Sequence, residues 1–222
     1  MNVENISLLG VNFAKLDIEQ LNEVLEDIIQ NGEQAIIANH NLHSVYLYHQ
    51  LAEFRSFFKL ADLVHADGMS LIYWGKLLGY DLDKKNRITY LDWIYPLLDI
   101  ANRNKWKIFY LGGKKGVAKK AASKLQKKYT EITFGTHHGF FDIKKTGDSN
   151  ILEEINDFHP NILMVGMGMP RQELWIKQNI NSIESNIILP SGACFDYIAG
   201  EQKAPPRLWG RLGFELVLSF PV

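Results

Sequence analysis

Short apolar runs alternate with helix-like stretches along most of the chain, and this alternation limits the possible folds more than any other feature. The clearest apolar runs cover residues 35–38, 107–111, 161–165 and 186–189. Their length, and the glycine or proline residues around them, predict buried strands that end in turns. Strands separated by helices predict an α/β fold, with a Rossmann-like, mostly parallel sheet and helices on both of its faces.

The segments between the apolar runs have the spacing of helices. Predicted helices cover residues 17–29, 116–129 and 170–180. The first helix places Leu21, Leu25 and Ile28 on one face, and Asp17 is its expected N-cap. No repeat, linker or low-complexity tract interrupts the pattern, so we expect residues 1–222 to form a single domain.

Composition excludes several classes of protein. The 222 residues carry 24 basic and 25 acidic side chains and a single cysteine, Cys194. The near-neutral charge gives no general attraction to nucleic acids, and one cysteine excludes a disulfide framework or a multi-cysteine metal site. Cys194 is expected to be a buried packing residue, with a nucleophilic role as the alternative. No run of about 18 apolar residues and no basic-then-apolar leader is present, so we expect a cytoplasmic protein.

Two polar segments are predicted to lie at the surface. Residues 144–150 are polar and contain glycine, which is typical of a loop. Near the C-terminus, Lys203, Arg207 and Arg211 stand among apolar and aromatic residues. This basic group is either solvated or a surface that meets anionic lipid or phosphate at the inner face of the cell membrane.

The turns after the predicted strands are the places to look for a ligand site, since open parallel sheets bind ligands at the carboxyl ends of their strands. Gly112 and Gly113 follow the strand at 107–111 and precede a helix. Glycines let the backbone approach a phosphate, and a helix N-terminus offers free N–H groups to it. An ordinary tight turn is the competing interpretation. Neither a Walker loop nor G-x-G-x-x-G is present, which disfavours an NAD-dependent dehydrogenase.

The turn after residues 161–165 is the richest in polar side chains. It reads Gly166-Met167-Gly168-Met169-Pro170-Arg171-Gln172-Glu173. Arg171 and Gln172 are predicted to hold a sugar hydroxyl or a diphosphate oxygen. In the alternative interpretation, Glu173 stabilises the helix N-terminus and Arg171 is solvated.

Other strand ends carry candidate catalytic and binding groups. Asp67 follows a short apolar segment and precedes a helix, so it is a candidate general base, with an Asp-Gly turn as the alternative. Asn39 and Asn41, with two histidines beside them, suit uracil or ribose recognition better than a metal. Arg87 is a candidate phosphate clamp. Asp196, among aromatic neighbours, is a ligand contact or a solvated helix residue.

Taken together, these segments resemble one family in order and spacing. The matching segments are Asn41-Leu42-His43-Ser44, Ala61-Asp62, Ala66-Asp67-Gly68, Arg87-Ile88-Thr89, Phe109-Tyr110-Leu111-Gly112-Gly113, Gly139-Phe140-Phe141, residues 166–173, Phe195-Asp196, Ala199-Gly200 and Lys203-Ala204-Pro205. They resemble the WecG/TagA/CpsF glycosyltransferases (glycosyltransferase family 26). The resemblance extends over roughly residues 5 to 215.

The resemblance implies an inverting hexosyltransferase that uses neither a metal nor another cofactor. Members move N-acetylmannosamine, its uronic acid or glucose from a UDP-sugar to a polyprenyl-diphosphate-linked sugar, such as one on undecaprenyl diphosphate. The reaction belongs to cell-surface polysaccharide or teichoic-acid-type synthesis in the cell wall. It implies peripheral contact with the membrane and allows a homo-oligomer.

The resemblance also assigns roles to residues. Asp67 would be the catalytic base, and cations with N–H dipoles would stabilise the leaving diphosphate. The implied substrate-binding residues are Asn39, Asn41, Arg87, Asp92, Gly112, Gly113, Gly168, Arg171, Gln172 and Asp196.

Three features depart from the family pattern. Members usually carry threonine at the position of Asn39 and glycine at that of Tyr90. The chain also lacks the family's arginine-rich tail: Leu216 stands at a tryptophan position and Ser219 at that of the first arginine. The tail is therefore expected to be short or altered. This leaves a catalytically inactive UDP-sugar-binding partner subunit as the alternative function.

Overall fold

The computed structural model of the protein describes residues 3–143 and 149–202, with Ser149 described by its backbone only. Within these residues, the strands form one eight-stranded sheet. The strands are β1 (Asn5–Leu8), β2 (Val11–Ala14), β3 (Ala35–His40), β4 (Leu63–Ala66), β5 (Lys107–Gly112), β6 (Thr133–His137), β7 (Ile162–Gly166) and β8 (Ile187–Pro190). Their order is β1-β2-β4-β3-β8-β7-β5-β6, and every neighbouring pair is parallel except the β1–β2 hairpin.

Helices cover both faces of this sheet. They are α1 (Ile18–Gln30), α2 (Leu42–Gln50), α3 (Ala52–Phe57), α4 (Met69–Leu77), α5 (Tyr90–Arg103), α6 (Val117–Gln126), α7 (Ser149–Phe158), α8 (Arg171–Asn179) and α9 (Cys194–Ala199). The helices α1, α5, α6 and α9 pack on one face, and α3, α7 and α8 pack on the other. The α/β, mostly parallel fold predicted from the alternation of runs is therefore confirmed. No helix in the described ranges is long and apolar enough to cross a membrane.

Most predicted elements are present with small shifts at their ends. The four clearest runs became β3, β5, β7 and β8, and Asp17 caps α1 by accepting a hydrogen bond from the Gln20 amide at 3.0 Å. The β1–β2 hairpin was not predicted, because its four-residue strands are too short for a clear alternating pattern. The loop predicted at 144–150 lies outside the described residues up to residue 148. Its last two residues are helical, since Ser149 begins α7.

The register of the parallel strands brings the predicted turns together. Asn39 of β3 lies opposite His65 of β4, and Gly112 of β5 lies opposite Gly166 of β7. The Ser191 amide, just past β8, donates to the Val165 carbonyl of β7 at 2.8 Å. The carboxyl ends of these five strands therefore form one continuous edge.

Two glycines let β5 and β7 end side by side. A Cβ atom on Gly112 would collide with the Gly166 carbonyl, and one on Gly166 would collide with the Tyr110 hydroxyl. Tyr110 cannot move away easily, because its ring stacks on Phe195 at 3.9 Å between centroids and its hydroxyl donates to the Gly192 carbonyl at 3.0 Å. At 112 and 166, glycine is thus required by strand packing.

We expect Gly166→Ala to lower the free energy of unfolding by about 3 kcal/mol, because the added methyl must displace a fixed ring. Gly32→Ala is the matched control. Gly32 has a φ of +68° and no atom within 4 Å of a built Cβ. Its substitution should therefore lower the free energy of unfolding by only about 1 kcal/mol, through backbone strain. Urea denaturation followed by circular dichroism measures both. Equal losses in the two variants would contradict the packing argument.

Candidate functional site

Asp67 and Arg87 lie side by side at the carboxyl end of β4. The Asp67 amide donates to the His40 carbonyl at 2.8 Å, which ties the residue after β4 to the end of β3. An isolated parallel bridge joins Ala66 to Arg87, and the Ile88 amide donates to the Ala66 carbonyl at 2.8 Å. Both Asp67 and Arg87 are half-buried. Residues twenty apart in the sequence thus place a carboxylate and a guanidinium at the same strand end.

Asp92 orients Arg87. The Arg87 guanidinium donates to the Asp92 carboxylate, and the Thr89 hydroxyl donates to the same oxygen at 3.2 Å. The two charged side chains are 17% and 36% exposed, so the pair is only partly screened by water. Arg87 and Asp92 were both predicted to bind substrate. In the structure, the described contacts of the Asp92 carboxylate are with Arg87 and Thr89.

The two asparagines after β3 differ in their surroundings. Asn41 is the N-cap of α2, where its side chain accepts from the Ser44 amide at 2.9 Å and its own amide donates to the Ser44 hydroxyl at 2.9 Å. Asn39 is 4% exposed, and its amide group donates to the Pro190 carbonyl at 3.4 Å. The Asn39 side-chain oxygen is buried without a hydrogen-bond partner among the described residues.

The histidines near these asparagines are packing residues. His40 stacks on Phe58 at 4.0 Å, and His65 meets the edge of Trp93 at 5.8 Å. Burial lowers the pKa of His40 to about 3 and that of His65 to about 4, so both rings are neutral at pH 7.

Gln172 ties together the turns after β7 and β8. Its side-chain oxygen accepts from the amides of Gly168 and Gly192, each at 3.1 Å. Its amide group donates to the Glu173 carboxylate at 2.8 Å, and the side chain is 1% exposed. These protein partners engage both ends of the amide and support a role in holding the two turns, whereas the predicted contact with a sugar or diphosphate stays a prediction.

Arg171 holds a neighbouring loop. Its guanidinium donates to the carbonyls of Gly139 and Phe141 and lies 5.5 Å from the centre of the Phe141 ring. Gly139 in turn donates from its amide to the Gly113 carbonyl at 2.9 Å. Arg171 is therefore not the solvated side chain of the alternative interpretation, and its predicted contact with a diphosphate stays a prediction. It presses the 139–141 loop against the glycine turn after β5.

Glu173 is the residue that the sequence interpretation placed least well. It was considered only as a charge at the start of α8, but it is 1% exposed and one of its oxygens is buried with no described partner. Burial raises its pKa to about 7, and the hydrogen bond from Gln172 opposes that rise. The carboxyl group is therefore partly protonated near pH 7.

Asp196 lies beside the glycine turn after β5. Its carboxylate oxygen is 3.6 Å from the position that a Cβ atom on Gly113 would take. Burial raises the pKa of Asp196, while the charge of Lys114 lowers it. The predicted site residues Gly112, Gly113 and Asp196 are thus brought together. Cys194, one turn before, is buried and burial raises its thiol pKa strongly, which agrees with a packing role.

Tyr90 links the two halves of this edge, and sequence reasoning missed it. Its hydroxyl is buried with no partner in the described structure. Burial raises its pKa, and so do the charges of Cys194, Asp67 and Glu173. Tyr90 therefore lies within electrostatic reach of Asp67 on one side and of the β7–β8 turns on the other. In the sequence Tyr90 stood out only as a departure from the family's usual glycine, and a buried tyrosine otherwise looks like any core aromatic.

Other features lie apart from this edge or outside the described ranges. A cavity of about 780 Å³ opens where β2 and β4 diverge, and neither Asp67 nor the glycine turns line it. No group of three or more His, Cys, Asp or Glu side chains that could hold a metal occurs in residues 3–143 and 149–202. Lys203, Arg207, Arg211 and the C-terminal tail lie outside the described residues.

The buried Glu173 makes stability depend on pH. Because its pKa is raised from 4.5 to about 7, wild-type stability falls as pH rises through that window. We expect Glu173→Gln, which keeps an acceptor for Gln172, to remove this loss. Its free energy of unfolding relative to wild type should rise by about 3 kcal/mol between pH 4 and pH 8.

The matched control is Glu23→Gln, on the exposed face of α1. Urea denaturation at the two pH values measures each variant against wild type. A relative stability of Glu173→Gln that stays constant with pH, as for the control, would contradict a buried titrating carboxyl group.

Comparison with known proteins gives this edge a chemical context. The model of the glycosyl transferase WecG/TagA/CpsF family matches residues 6–218. Relatives from Staphylococcus aureus strains NCTC 8325 / PS 47, COL and MRSA252 are 28% identical over 220 residues, covering 97% of this chain and 84% of theirs. Each is named N-acetylglucosaminyldiphosphoundecaprenol N-acetyl-beta-D-mannosaminyltransferase. With a match over nearly its whole length, this chain belongs to the WecG/TagA/CpsF family of glycosyl transferases.

Proposed function

We propose that this single-domain enzyme transfers an N-acetylmannosaminyl group from a UDP-sugar to a sugar on a lipid diphosphate, with inversion and without a metal. The names of the relatives support the sugar and the acceptor. The observation that carries the proposal is the bridge between Ala66 and Arg87, because it sets a general base and a fixed cation at one strand end.

In this proposal Asp67 takes the proton from the acceptor hydroxyl. The hydroxyl oxygen then attacks the anomeric carbon from the face opposite to UDP, so the glycosidic bond forms as the bond to the diphosphate oxygen breaks. A carboxylate that is half-buried and anchored through its own backbone holds the base in a constant position.

Charge develops on the diphosphate oxygen as the bond to the sugar breaks. Arg87 supplies a cation for it, and the pair with Asp92 limits the freedom of the guanidinium. At the turns Gly112–Gly113 and Gly166–Gly168, the glycines leave room for a diphosphate to approach the backbone, while the Gly113 and Gly168 amides already donate to the Gly166 carbonyl and to Gln172. Gln172 and Arg171 support this proposal by holding those turns rather than by touching the substrate.

Two further predicted residues are assigned to the nucleotide-sugar. Asn39 has a buried oxygen at the β3 end and Asp196 has a half-buried carboxylate at the β5 end, so both suit polar groups of the nucleotide-sugar. The acceptor is linked to a lipid, so we also propose that the enzyme works as a peripheral protein at the membrane surface.

Turnover tests this proposal directly. UDP release is measured from UDP-N-acetylmannosamine with a short-chain N-acetylglucosaminyl-diphosphate lipid as acceptor. We expect Asp67→Asn to lower kcat by about 100-fold or more while UDP still binds, because only proton transfer is removed. Arg87→Met should weaken UDP binding by about tenfold or more in calorimetric titration. Both the activity and the binding should persist with a chelator present.

Asp99→Asn is the control for charge removal, because Asp99 is an exposed residue further along α5. Its kcat should equal that of wild type. UDP binding by the wild type with no turnover on any UDP-hexose would overturn the proposal and favour a catalytically inactive binding subunit.

A further inference from the structure

One face of α4 exposes an apolar surface near Asp67. Trp74, Leu77 and Leu78 are 47%, 75% and 61% exposed, and we name these three residues the α4 patch. Positions 74, 77 and 78 are three and four residues apart, so their side chains lie on one side of the helix. Leu77 is the most exposed large apolar side chain in the described part of the chain.

Scattered exposed leucines need no explanation, but a contiguous face of a tryptophan and two leucines does. The neighbouring side of α4 already packs into the protein, since Leu71, Ile72 and Gly75 are buried there. A Cβ on Gly75 would collide with Leu82, so α4 is held tightly and cannot rotate to bury the patch. The patch therefore faces outward in the folded protein.

The charges around the α4 patch are mostly basic. Lys76 is the only charged residue of α4, and Lys84 and Lys85 follow in the short 3-10 turn that packs against it. The nearby Asp81 has a lowered pKa, first because of a hydrogen bond from Lys15 and then because of Lys85 and Lys76. These lysines thus stand near two exposed carboxylates, Asp81, which Lys15 pairs at 3.0 Å, and Asp83, which caps the 3-10 turn.

We propose that the α4 patch is the surface by which this enzyme rests on a lipid bilayer. Tryptophan prefers the interface of a bilayer, leucine side chains enter its apolar edge, and lysines keep their charged ends among the head groups. Leu78 is followed by Gly79, so the helix ends at the patch and its last side chains project from the surface.

The position of the patch relative to Asp67 supports a bilayer rather than another partner. Asp67 precedes the first residue of α4 by two positions, and Leu77 lies about 12 Å from that residue along the helix axis. An enzyme lying on the patch would hold Asp67 just above the head groups. A sugar on a lipid diphosphate projects to that height. This placement of the acceptor rests on the proposed function, whereas the binding of lipid does not.

Vesicle binding by the full-length chain tests the α4 patch. Co-sedimentation is measured with vesicles of phosphatidylcholine alone and of phosphatidylcholine with phosphatidylglycerol. We expect Leu77→Ser with Leu78→Ser to lower the partition coefficient by about tenfold or more on both vesicles. The matched control is Leu51→Ser with Leu60→Ser, which removes two exposed leucines elsewhere and should bind as wild type does. Far-ultraviolet circular dichroism and thermal unfolding establish that both variants fold.

Three further measurements make the outcome decisive. Brominated lipid should quench tryptophan emission of the wild type more than that of Trp74→Phe. On a water-soluble acceptor the patch variant should turn over as wild type does, and on an acceptor embedded in vesicles it should be slower. Light scattering at the same concentrations detects a second copy on the patch.

Unchanged vesicle binding by the patch variant would overturn the inference. A switch from dimer to monomer with unchanged vesicle binding would assign the patch to a second copy of the chain instead. If the wild type turns over neither acceptor, the proposed function alone is overturned, because vesicle binding is measured without turnover.

Discussion

The candidate site depends on the hydrogen bonds of one buried amide. Gln172 accepts from the Gly168 and Gly192 amides and donates to Glu173, so one side chain joins the turns of two neighbouring strands. A buried amide that lost one of these partners would leave polar groups without compensation, which is costly in a region of low dielectric. The hydrogen bonds of the Gln172 side chain therefore set the spacing of the glycine turns.

A second layer of support surrounds the reactive groups. Asp92 orients Arg87, Arg171 holds the loop at 139–141, and Asn41 caps α2 just after β3. In the proposed function, Asp67 and Arg87 are the central residues that meet substrate. Polar residues that cluster around a site in sequence thus divide into those that act on the substrate and those that hold the backbone around it.

Local patterns predicted the elements better than they predicted the roles of side chains. The runs that became β3, β5, β7 and β8 were clear because buried parallel strands are continuously apolar. The β1–β2 hairpin was missed because each of its strands has only four residues, too few for a clear alternating pattern. Gln172 and Arg171 were expected to bind substrate, since a motif shows which residues occur together but not which way their side chains turn. Tyr90 and Glu173 owe their character to burial, which no local spacing reveals.

The sequence by itself determined the α/β class, the strand ends where polar residues gather and the resemblance to a transferase family, because these depend on hydrophobic period and residue order. Only the tertiary structure decided that Arg87 stands at the same strand end as Asp67, because a single parallel bridge joins Arg87 to Ala66 from a separate segment. It also decided why Gly112 and Gly166 are glycines, since the collisions involve a neighbouring strand and the Tyr110 ring. Long-range register and burial are properties of the packed chain, and they convert a list of polar residues into a site.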